Sequence, residues 1–284
     1  MIVIQLKGGL GNQMFQYAAA RALALRHGAE VLLDTAHYRA DQLRNFDLLQ
    51  LSAQARVATA AEAARLRPDG LLQRVAARLR PLRSRRFYKE PHFHYDPGFA
   101  QLGHEVYLQG YFQSERYFAP FADRIRAELQ LREPLSPQLL ELGRAMQAQE
   151  SVSLHIRRGD YSNPVTLKVH GILPISYYQK AMEVMSRHLD APRYYLFTDD
   201  PAWVLEHLDI PGAEVVSGHH TKAHFEDLFL MSQCRHQVIA NSSFSWWGAW
   251  LNSNPGKKVI APAQWFHEGP PDTQDLVPAG WTRL

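Results

Sequence analysis

The chain has 284 residues, of which 46% are hydrophobic and 21% charged, a composition that excludes disordered, collagenous and coiled-coil proteins. Its longest uncharged apolar stretches, such as residues 246–251, fall far short of the roughly 20 residues that span a bilayer. The N-terminus lacks the charged start and long apolar middle of a secretory signal. Cys234 is the only cysteine, which excludes an internal disulfide framework. These features predict a cytoplasmic protein of two domains.

The net charge of +3 is unevenly distributed. Residues 65–89 carry nine basic side chains and one acid, Asp69, so the rest of the chain is net acidic. An amphipathic helix on this stretch could contact an anionic membrane surface from the cytoplasm, or it could pack with a solvated outer face, the interpretation we favour. Nucleic-acid binding is not favoured, because no reader motif accompanies the charge.

The first 150 residues open with a βαβ pattern: a strand at 2–6, a glycine turn and helix, and a strand at 30–34. An Ala-rich helical region is predicted over 42–82. Extended aromatic segments follow near 87–95 and 106–112. Two helices are predicted last, at 118–130 and 136–149.

Beyond residue 150, strands and helices alternate regularly, which predicts a parallel sheet covered by helices on both faces. The predicted strands are 152–156, 194–198, 214–216, 237–240 and 258–261, and the predicted helices are 174–189, 201–208, 222–234 and 242–252. We therefore expect one domain at 1–150 and a second at 151–284. In such sheets, ligands bind at the carboxyl ends of the strands, where candidate residues should be sought.

The first candidate motif is the glycine turn at residues 7–13, between a strand and a helix. Its backbone N–H groups could bind a phosphate, or the turn could be purely structural, and the sequence favours neither. Gly9, Gly11 and Asp34 also fit a dinucleotide-dependent oxidoreductase, the alternative function we consider. Met14, however, occupies the position of the third glycine of that motif.

The second candidate motif lies at the carboxyl end of the strand at 152–156 and contains His155, Arg157, Arg158 and Asp160. Extended backbone would place His155 and Arg157 on one side and Arg158 on the other. Arginine matches phosphate oxygens with fixed, permanently charged donors. We therefore favour a phosphate site over a surface ion-pair network involving Asp160.

Two further strand ends carry polar residues. Asp200 precedes a proline and is predicted to cap a helix, leaving Asp199 free to face the crevice. Asn241, Ser242 and Ser243 precede another helix, where their side chains can cap it or bind phosphate. We expect the tryptophans that follow to pack in the core rather than to stack on a sugar. No metal site is predicted, since the histidine spacing lacks a zinc-protease glutamate.

Residues 8–16, 155–161 and 241–251 together resemble the galactoside α-1,2-fucosyltransferases of glycosyltransferase family eleven, especially the bacterial members. The resemblance implies a GT-B fold, α/β, with two Rossmann-like domains facing a central cleft. The N-terminal domain would serve the acceptor and the C-terminal domain would bind GDP-fucose. It further implies a metal-independent, inverting transfer of L-fucose from GDP-β-L-fucose to the 2-hydroxyl of a terminal β-galactoside, with no cofactor.

The resemblance also implies residue roles. His155 and Asp227 would lie near the guanine, and Arg157 and Arg158 would lie on the diphosphate. Asp160 is the first candidate for a general base, and His170, expected on the same long loop, is the second. The complete set of donor-binding candidates is Gly11, Asn12, His155, Asp199, Asp227, Asn241, Ser242 and Ser243.

Overall fold

A computed structural model describes residues 1–41, 44–68, 70, 73, 75, 76, 79–158 and 164–284. The chain forms two compact units. The first contains Met1–Arg132 and Asp272–Pro278, and the second contains Glu133–Pro271 and Ala279–Leu284.

The second unit begins at Glu133, 18 residues before residue 151, where the sequence analysis expects it to begin. The helix that precedes residue 150 belongs to the second unit, where its Gln147 Nε2 donates to Gln233 Oε1 at 2.5 Å. Residues 272–278 return to the first unit, where the Asp275 carboxylate accepts from Arg116 Nη1 at 2.7 Å and from the Tyr95 N–H at 3.0 Å. The sequence carries no pattern that predicts this return.

The first unit is built on a five-stranded parallel sheet in the order β3-β2-β1-β5-β4. Its strands are β1 (Ile2–Gln5), β2 (Val31–Asp34), β3 (Arg56–Val57), β4 (Phe87–Lys89) and β5 (Val106–Gln109). Its α-helices include α1 (Leu10–His27), α2 (Ala60–Leu66) and α3 (Ala122–Glu128).

Helix α1 packs closely on the sheet because its buried side includes the small residues Ala18, Ala19 and Ala22. It ends at Gly28, whose φ of 61° lies in the left-handed region and whose N–H donates to the Ala24 carbonyl. The predicted βαβ opening is therefore confirmed.

The prediction of one helical region over 42–82 is wrong for the residues that are described. A 3-10 turn at Leu48–Gln50 and strand β3 precede α2, which is only seven residues long. Thr59 and Glu62 form a capping box that starts α2 at Ala60. Strand β3 has two exposed residues, so no alternation of apolar and polar residues marks it in the sequence.

The second unit is built on a six-stranded parallel sheet in the order β11-β10-β9-β6-β7-β8. Its strands are β6 (Ser151–Ile156), β7 (Arg193–Thr198), β8 (Glu214–Val215), β9 (His236–Val238), β10 (Val259–Ala261) and β11 (Thr282–Arg283). Its helices include α4 (Pro137–Gln147), α5 (Pro164–His170), α6 (Ile175–Ser186), α7 (Pro201–His207), α8 (His224–Gln233) and α9 (Ser243–Leu251). The predicted alternation is confirmed, although α5 was not predicted.

Each sheet has one point where the strand order reverses direction. In the first unit it lies between β1 and β5, and in the second unit between β6 and β9. Open parallel sheets bind their ligands outside the carboxyl ends of the strands at such points. The loops after these four strands are therefore the places where each unit can build a site.

The three tryptophans of helix α9 pack in the core of the second unit. Trp246 and Trp247 are fully buried, and Trp250 is 3% exposed. Their rings contact each other at centroid distances of 5.0–6.2 Å. Core packing of these tryptophans is confirmed. Within the described part of the chain, the helices are too short or too polar to cross a membrane.

Candidate functional site

His155 lies near the carboxyl end of β6 in the second unit and is buried. Its ring faces Phe244 of α9 at a centroid distance of 6.0 Å. Its Nδ1 is buried and has no hydrogen-bond partner among the described residues. Burial, with a smaller contribution from the Arg157 charge, lowers the pKa of His155 to about 3. The imidazole is therefore neutral at physiological pH and has an unused hydrogen-bonding atom.

Arg157 connects the two strands at the reversal point of the second sheet. Its Nη1 donates to Ser242 Oγ at 3.0 Å. Ser242 is the N-cap of α9, and its Oγ also accepts from the Phe244 N–H at 3.3 Å. A guanidinium thus lies at a helix start, where backbone N–H groups and the helix dipole also favour an anion.

Arg158 is positioned by different partners. Its backbone N–H donates to Asp199 Oδ1 at 2.6 Å, and its guanidinium lies 3.7 Å from the ring centroid of Trp203 in α7. The Trp203 ring stacks in turn on His207 at 4.5 Å. Asp200 caps α7 by accepting from the Trp203 N–H at 3.1 Å, as the sequence predicts. Asp199 is exposed but is engaged with the backbone of Arg158.

Asp227, on α8, is tied to the end of β7 through a hydroxyl. Ser217 Oγ accepts from the Thr198 N–H at 2.9 Å and donates to Asp227 Oδ2 at 2.7 Å. Thr221 Oγ1 donates to Asp227 Oδ1 at 2.5 Å. Burial raises the pKa of Asp227, and the two hydroxyl groups partly offset this effect. The carboxylate is thus rigidly oriented and retains lone pairs for a further donor.

Asn241 joins the end of α5 to the loop that contains Trp265, beside the reversal point. Its Nδ2 donates to the His170 carbonyl at 2.7 Å and lies 3.3 Å from the Trp265 carbonyl. Its Oδ1 is buried and has no hydrogen-bond partner among the described residues. His170 is the last residue of α5 rather than part of a loop, and its ring packs on Phe266 at 5.3 Å.

A cavity of about 440 Å³ opens beside this helix end. Its lining includes Lys168 and Glu268, which form an ion pair at 3.1 Å. Gly171, with a φ of 67°, forms part of the wall and turns the chain out of α5. The remaining lining residues are Leu167, Ile172 and His267.

The first unit places Gly11 and Asn12 in the first turn of α1. Asn12 Oδ1 accepts from Gln113 Nε2, in the loop after β5, at 2.6 Å. Gly8 has a φ of 78°, and a Cβ there would lie 2.5 Å from Asn12 Nδ2. The glycine turn thus leaves the space that the Asn12 amide occupies, and the Gln113 hydrogen bond fixes the amide orientation.

Glu90 is a residue of this edge that the sequence did not single out. Its carboxylate accepts from the N–H groups of Tyr111 at 2.7 Å and Phe112 at 2.9 Å. Lys7 Nζ lies 3.9 Å from the ring centroid of Tyr111. Burial raises the pKa of Glu90 to about 7 and lowers that of Lys7.

The structure brings most of the predicted residues to the two sheet edges, each within its own unit. His155, Arg157, Arg158, Asp199, Asp227, Asn241, Ser242 and Ser243 belong to the second unit, and Gly11 and Asn12 belong to the first. Asp160 lies outside the described residues. The sequence analysis did not single out Glu90, Gln113 or Trp203, because their contacts depend on the paths of the loops. The available signals were that Gln113 is a polar residue and Trp203 an aromatic residue a few positions after a strand.

Asp34 does not present a free carboxylate at the first edge. It is buried, and its oxygens accept from the Tyr107 hydroxyl at 2.6 Å and from the Ala36 N–H at 3.0 Å. This arrangement does not support the dinucleotide interpretation.

Metal-ligand types do not cluster in the described ranges: no three His, Cys, Asp or Glu side chains there are arranged to hold an ion. His220, which has a metal-like spacing to His224, instead pairs with Glu214 at 2.9 Å.

In the basic stretch, 65–89, the described contacts include ion pairs near its two ends. Arg65 and Arg86 both pair with Glu105, and Arg67 lies 3.7 Å from Asp34. The contact of this stretch with a membrane stays a prediction.

Comparison with known proteins gives concordant matches. Residues 91–284 match the profile of Glycosyl transferase family 11. The chain is 31% identical over 294 residues to an alpha-1,2-colitosyltransferase of Escherichia coli, covering 100% of this chain and 99% of that protein. It is 27% identical over 255 residues to galactoside alpha-(1,2)-fucosyltransferase 1 of Lagothrix lagotricha, covering 86% of this chain and 63% of that protein.

Among solved structures, the chain resembles NodZ alpha-1,6-fucosyltransferase co-crystallised with GDP, with a TM-score of 0.50 and 15% identity. The match covers 87% of this chain and 91% of that one, and it concerns the fold alone. With a parallel α/β sheet in each unit, it confirms the predicted GT-B fold class with two Rossmann-like domains.

Proposed function

Because the chain belongs to glycosyltransferase family 11, we propose that it transfers L-fucose from GDP-β-L-fucose to the 2-hydroxyl of a terminal β-galactoside, forming an α-1,2 linkage. The second unit binds the nucleotide and the first unit serves the acceptor. The reaction inverts the anomeric configuration through a single displacement.

The observation that carries this proposal is the contact between Arg157 and Ser242 at the start of α9. This contact brings a guanidinium to the N-terminus of a helix, so a diphosphate bound there would receive charge-assisted hydrogen bonds. Ser243 is the first residue of α9, and its hydroxyl is proposed to bind the diphosphate as well. Arg158, stacked on Trp203, supplies the second positive charge.

His155 and Asp227 suit the guanine base. A neutral imidazole with an unused buried nitrogen makes a directional hydrogen bond without adding charge. The Asp227 carboxylate, oriented by Ser217 and Thr221, is an acceptor for the adjacent ring and amino N–H groups that guanine presents. Adenine and the pyrimidines do not present that pair of donors, so these residues would select guanine.

The chemistry requires stabilisation of a leaving group. The galactose 2-hydroxyl attacks the anomeric carbon while the bond from that carbon to the diphosphate oxygen breaks, and the proton of the hydroxyl is released. Negative charge grows on the departing diphosphate, where Arg157, Arg158 and the N–H groups of α9 are already oriented. We propose that these groups replace the divalent ion that other nucleotide-sugar enzymes use.

Asp160 and His170 are the proposed candidates for the base that removes the proton. A general base contributes about 10²- to 10⁴-fold to the rate. Asn241 holds the backbone of His170 by a hydrogen bond of 2.7 Å, so its proposed role is to position this segment. Asp199 orients Arg158 through its backbone, and Asn12 is proposed to contact the donor sugar.

The test is an assay of the purified protein with GDP-fucose and a panel of β-galactosides in the presence of EDTA, with linkage analysis of the product. We expect an α-1,2-fucosylated product and acceptor-dependent release of GDP. Because one relative is a colitosyltransferase, GDP-colitose, which differs from GDP-fucose by the loss of the 3-hydroxyl, is included as a competing donor.

Arg157→Ala should abolish turnover, whereas Arg187→Ala, which removes an exposed arginine paired with Glu183 in the same unit, should not. Turnover of GDP-colitose but not of GDP-fucose would reject the proposed donor. A product with another linkage would reject the proposed regiochemistry.

A further inference from the structure

A largely buried loop in the first unit, residues 110–113, is held in part by the carboxylate of Glu90. Glu90 directly follows β4, and its backbone N–H extends the sheet by donating to the Gln109 carbonyl of β5 at 2.8 Å. Its side-chain oxygens accept from two successive backbone N–H groups, those of Tyr111 and Phe112. Gly110 permits this approach, because a Cβ there would lie 2.5 Å from the Glu90 Cβ. The carboxylate therefore bridges β4 and the loop after β5.

The loop that Glu90 holds has an unusual conformation. Phe112 has a φ of 54°, a left-handed conformation that bulky residues rarely adopt. Its ring is fully buried against Phe99 at 5.4 Å and Tyr117 at 5.3 Å. Such conformations persist where surrounding contacts over-determine them, and they cluster at functional sites. Here the contacts are the buried ring and the two hydrogen bonds to Glu90.

The conformation has a direct effect on the next side chain. Gln113 follows Phe112 and donates to Asn12 Oδ1 at 2.6 Å, which turns Asn12 Nδ2 toward Gly8. Release of the Phe112 backbone would move Gln113 and free the Asn12 amide. A chain of contacts therefore leads from Glu90 through the loop to Asn12.

The charge state of Glu90 matters to these contacts, because a carboxylate accepts N–H groups more strongly than a carboxylic acid does. Burial raises the pKa of Glu90 to about 7, and Lys7 opposes that shift. Lys89 in turn lowers the pKa of Lys7. The other groups that interact with Glu90 are three tyrosines whose own pKa values its charge raises. These are Tyr88, Tyr111 and Tyr117.

We propose that Glu90 is a positioning residue for sugar transfer, which acts by locking residues 110–113 so that Gln113 holds the Asn12 amide in its working orientation. The inference rests on the proposed function, in which Asn12 contacts the donor sugar. Glu90 itself touches neither the donor nor the acceptor in this scheme.

The first test is Glu90→Gln, whose amide cannot accept at both side-chain positions. We expect kcat/KM for GDP-fucose at pH 8 to fall about 10- to 100-fold, the effect of a small displacement of a positioned group. The affinity for GDP, measured by calorimetry, should stay within about twofold, because the proposed nucleotide site is in the second unit. Glu90→Asp, which keeps the charge, should recover part of the loss.

The second test is a double-mutant cycle with Asn12→Ala. If Glu90 acts through Asn12, the double variant should be no slower than Asn12→Ala alone. Gln113→Ala removes the side chain that connects the loop held by Glu90 to Asn12, so it should lower kcat/KM as Glu90→Gln does. This variant replaces Glu90→Gln in the test if Glu90→Gln does not fold. Glu128→Gln is the matched control, since Glu128 is a buried carboxylate of the same unit that binds Tyr17, Arg21 and Arg124. It should lower the Tm without changing kcat/KM at a temperature where it is folded.

The pH dependence of kcat/KM distinguishes a positioning role of Glu90 from a role in folding alone. The wild type should lose kcat/KM as the pH falls through about 7, while Glu90→Gln should lack this step, because its amide does not titrate. If the wild type transfers fucose and Glu90→Gln has the same kcat/KM, this inference is overturned while the proposed function stands. The same holds if the effects of Glu90→Gln and Asn12→Ala on kcat/KM are additive in the cycle. A wild type without transfer of fucose would overturn both.

Discussion

The Arg157 guanidinium donates to Ser242 Oγ over 3.0 Å and so joins the end of β6 to the first turn of α9. The two residues are 85 positions apart in the sequence, and the parallel sheet brings them together because β6 and β9 are neighbours. Replacement of Arg157 by Ala should weaken GDP binding roughly 10- to 100-fold, since a hydrogen bond to a charged group contributes about 1.5–3 kcal/mol. Isothermal titration with GDP measures this loss.

Arg157→Lys is the informative companion variant. Lysine keeps the charge but not the planar fork of donors, so we expect an affinity between those of the wild type and Arg157→Ala. Equal affinity of wild type and Arg157→Ala would remove Arg157 from the nucleotide site.

Trp203 should contribute to donor binding without touching the donor. Its ring lies under the Arg158 guanidinium, and a cation–π contact contributes about 0.5–2 kcal/mol. Trp203→Ala should therefore raise the KM for the donor by about 2- to 30-fold, whereas Trp203→Phe should retain most of the affinity. Trp281→Phe, at a tryptophan that contacts Trp246 instead, controls for the loss of a ring elsewhere in the second unit.

His155 should make the stability depend on pH. Its pKa is lowered to about 3 in the folded protein, against about 6.5 in the unfolded chain. Its contribution to stability is therefore complete above pH 6.5 and is lost as the pH falls toward 3, because the unfolded state takes up the proton first. His155→Gln should flatten this part of a Tm-against-pH curve, and an unchanged slope would show that folding does not lower the pKa of His155.

Chelation should leave the transfer rate unchanged. The proposed mechanism stabilises the departing diphosphate with Arg157, Arg158 and the N–H groups of α9. Rates are to be compared after dialysis against EDTA and after addition of Mg²⁺ or Mn²⁺. A rate that falls with EDTA and returns with either ion would contradict this mechanism.

How far the sequence predicts the site depends on how each residue reaches it. Arg157 and Ser242 could be predicted, because polar residues that follow strands of a parallel sheet must meet at one edge. The stack of Arg158 on Trp203 could not, because it depends on the path from β7 into α7. Gln113 was missed for the same reason, since the left-handed conformation of the preceding phenylalanine has no sequence signature.

The fold shows the same distinction. Strands β6 and β7 are fully or nearly fully buried, and helix α7, which follows β7, begins at a recognisable cap. Strand β3, with two exposed residues, is defined only by its pairing with β2. A helical propensity computed over the Ala-rich region cannot detect such a pairing.

The hydrogen bonds of Asp275 to Arg116 and Tyr95 also bear on how the protein can be made. During synthesis, the first unit acquires residues 272–278 only after residues 133–271 of the second unit have been made. A gene fragment that stops at residue 132 would encode that unit without this piece, and one that starts at 133 would carry it as a surplus segment. Dissecting the enzyme into separately expressed halves therefore calls for grafting residues 272–278 onto the first half.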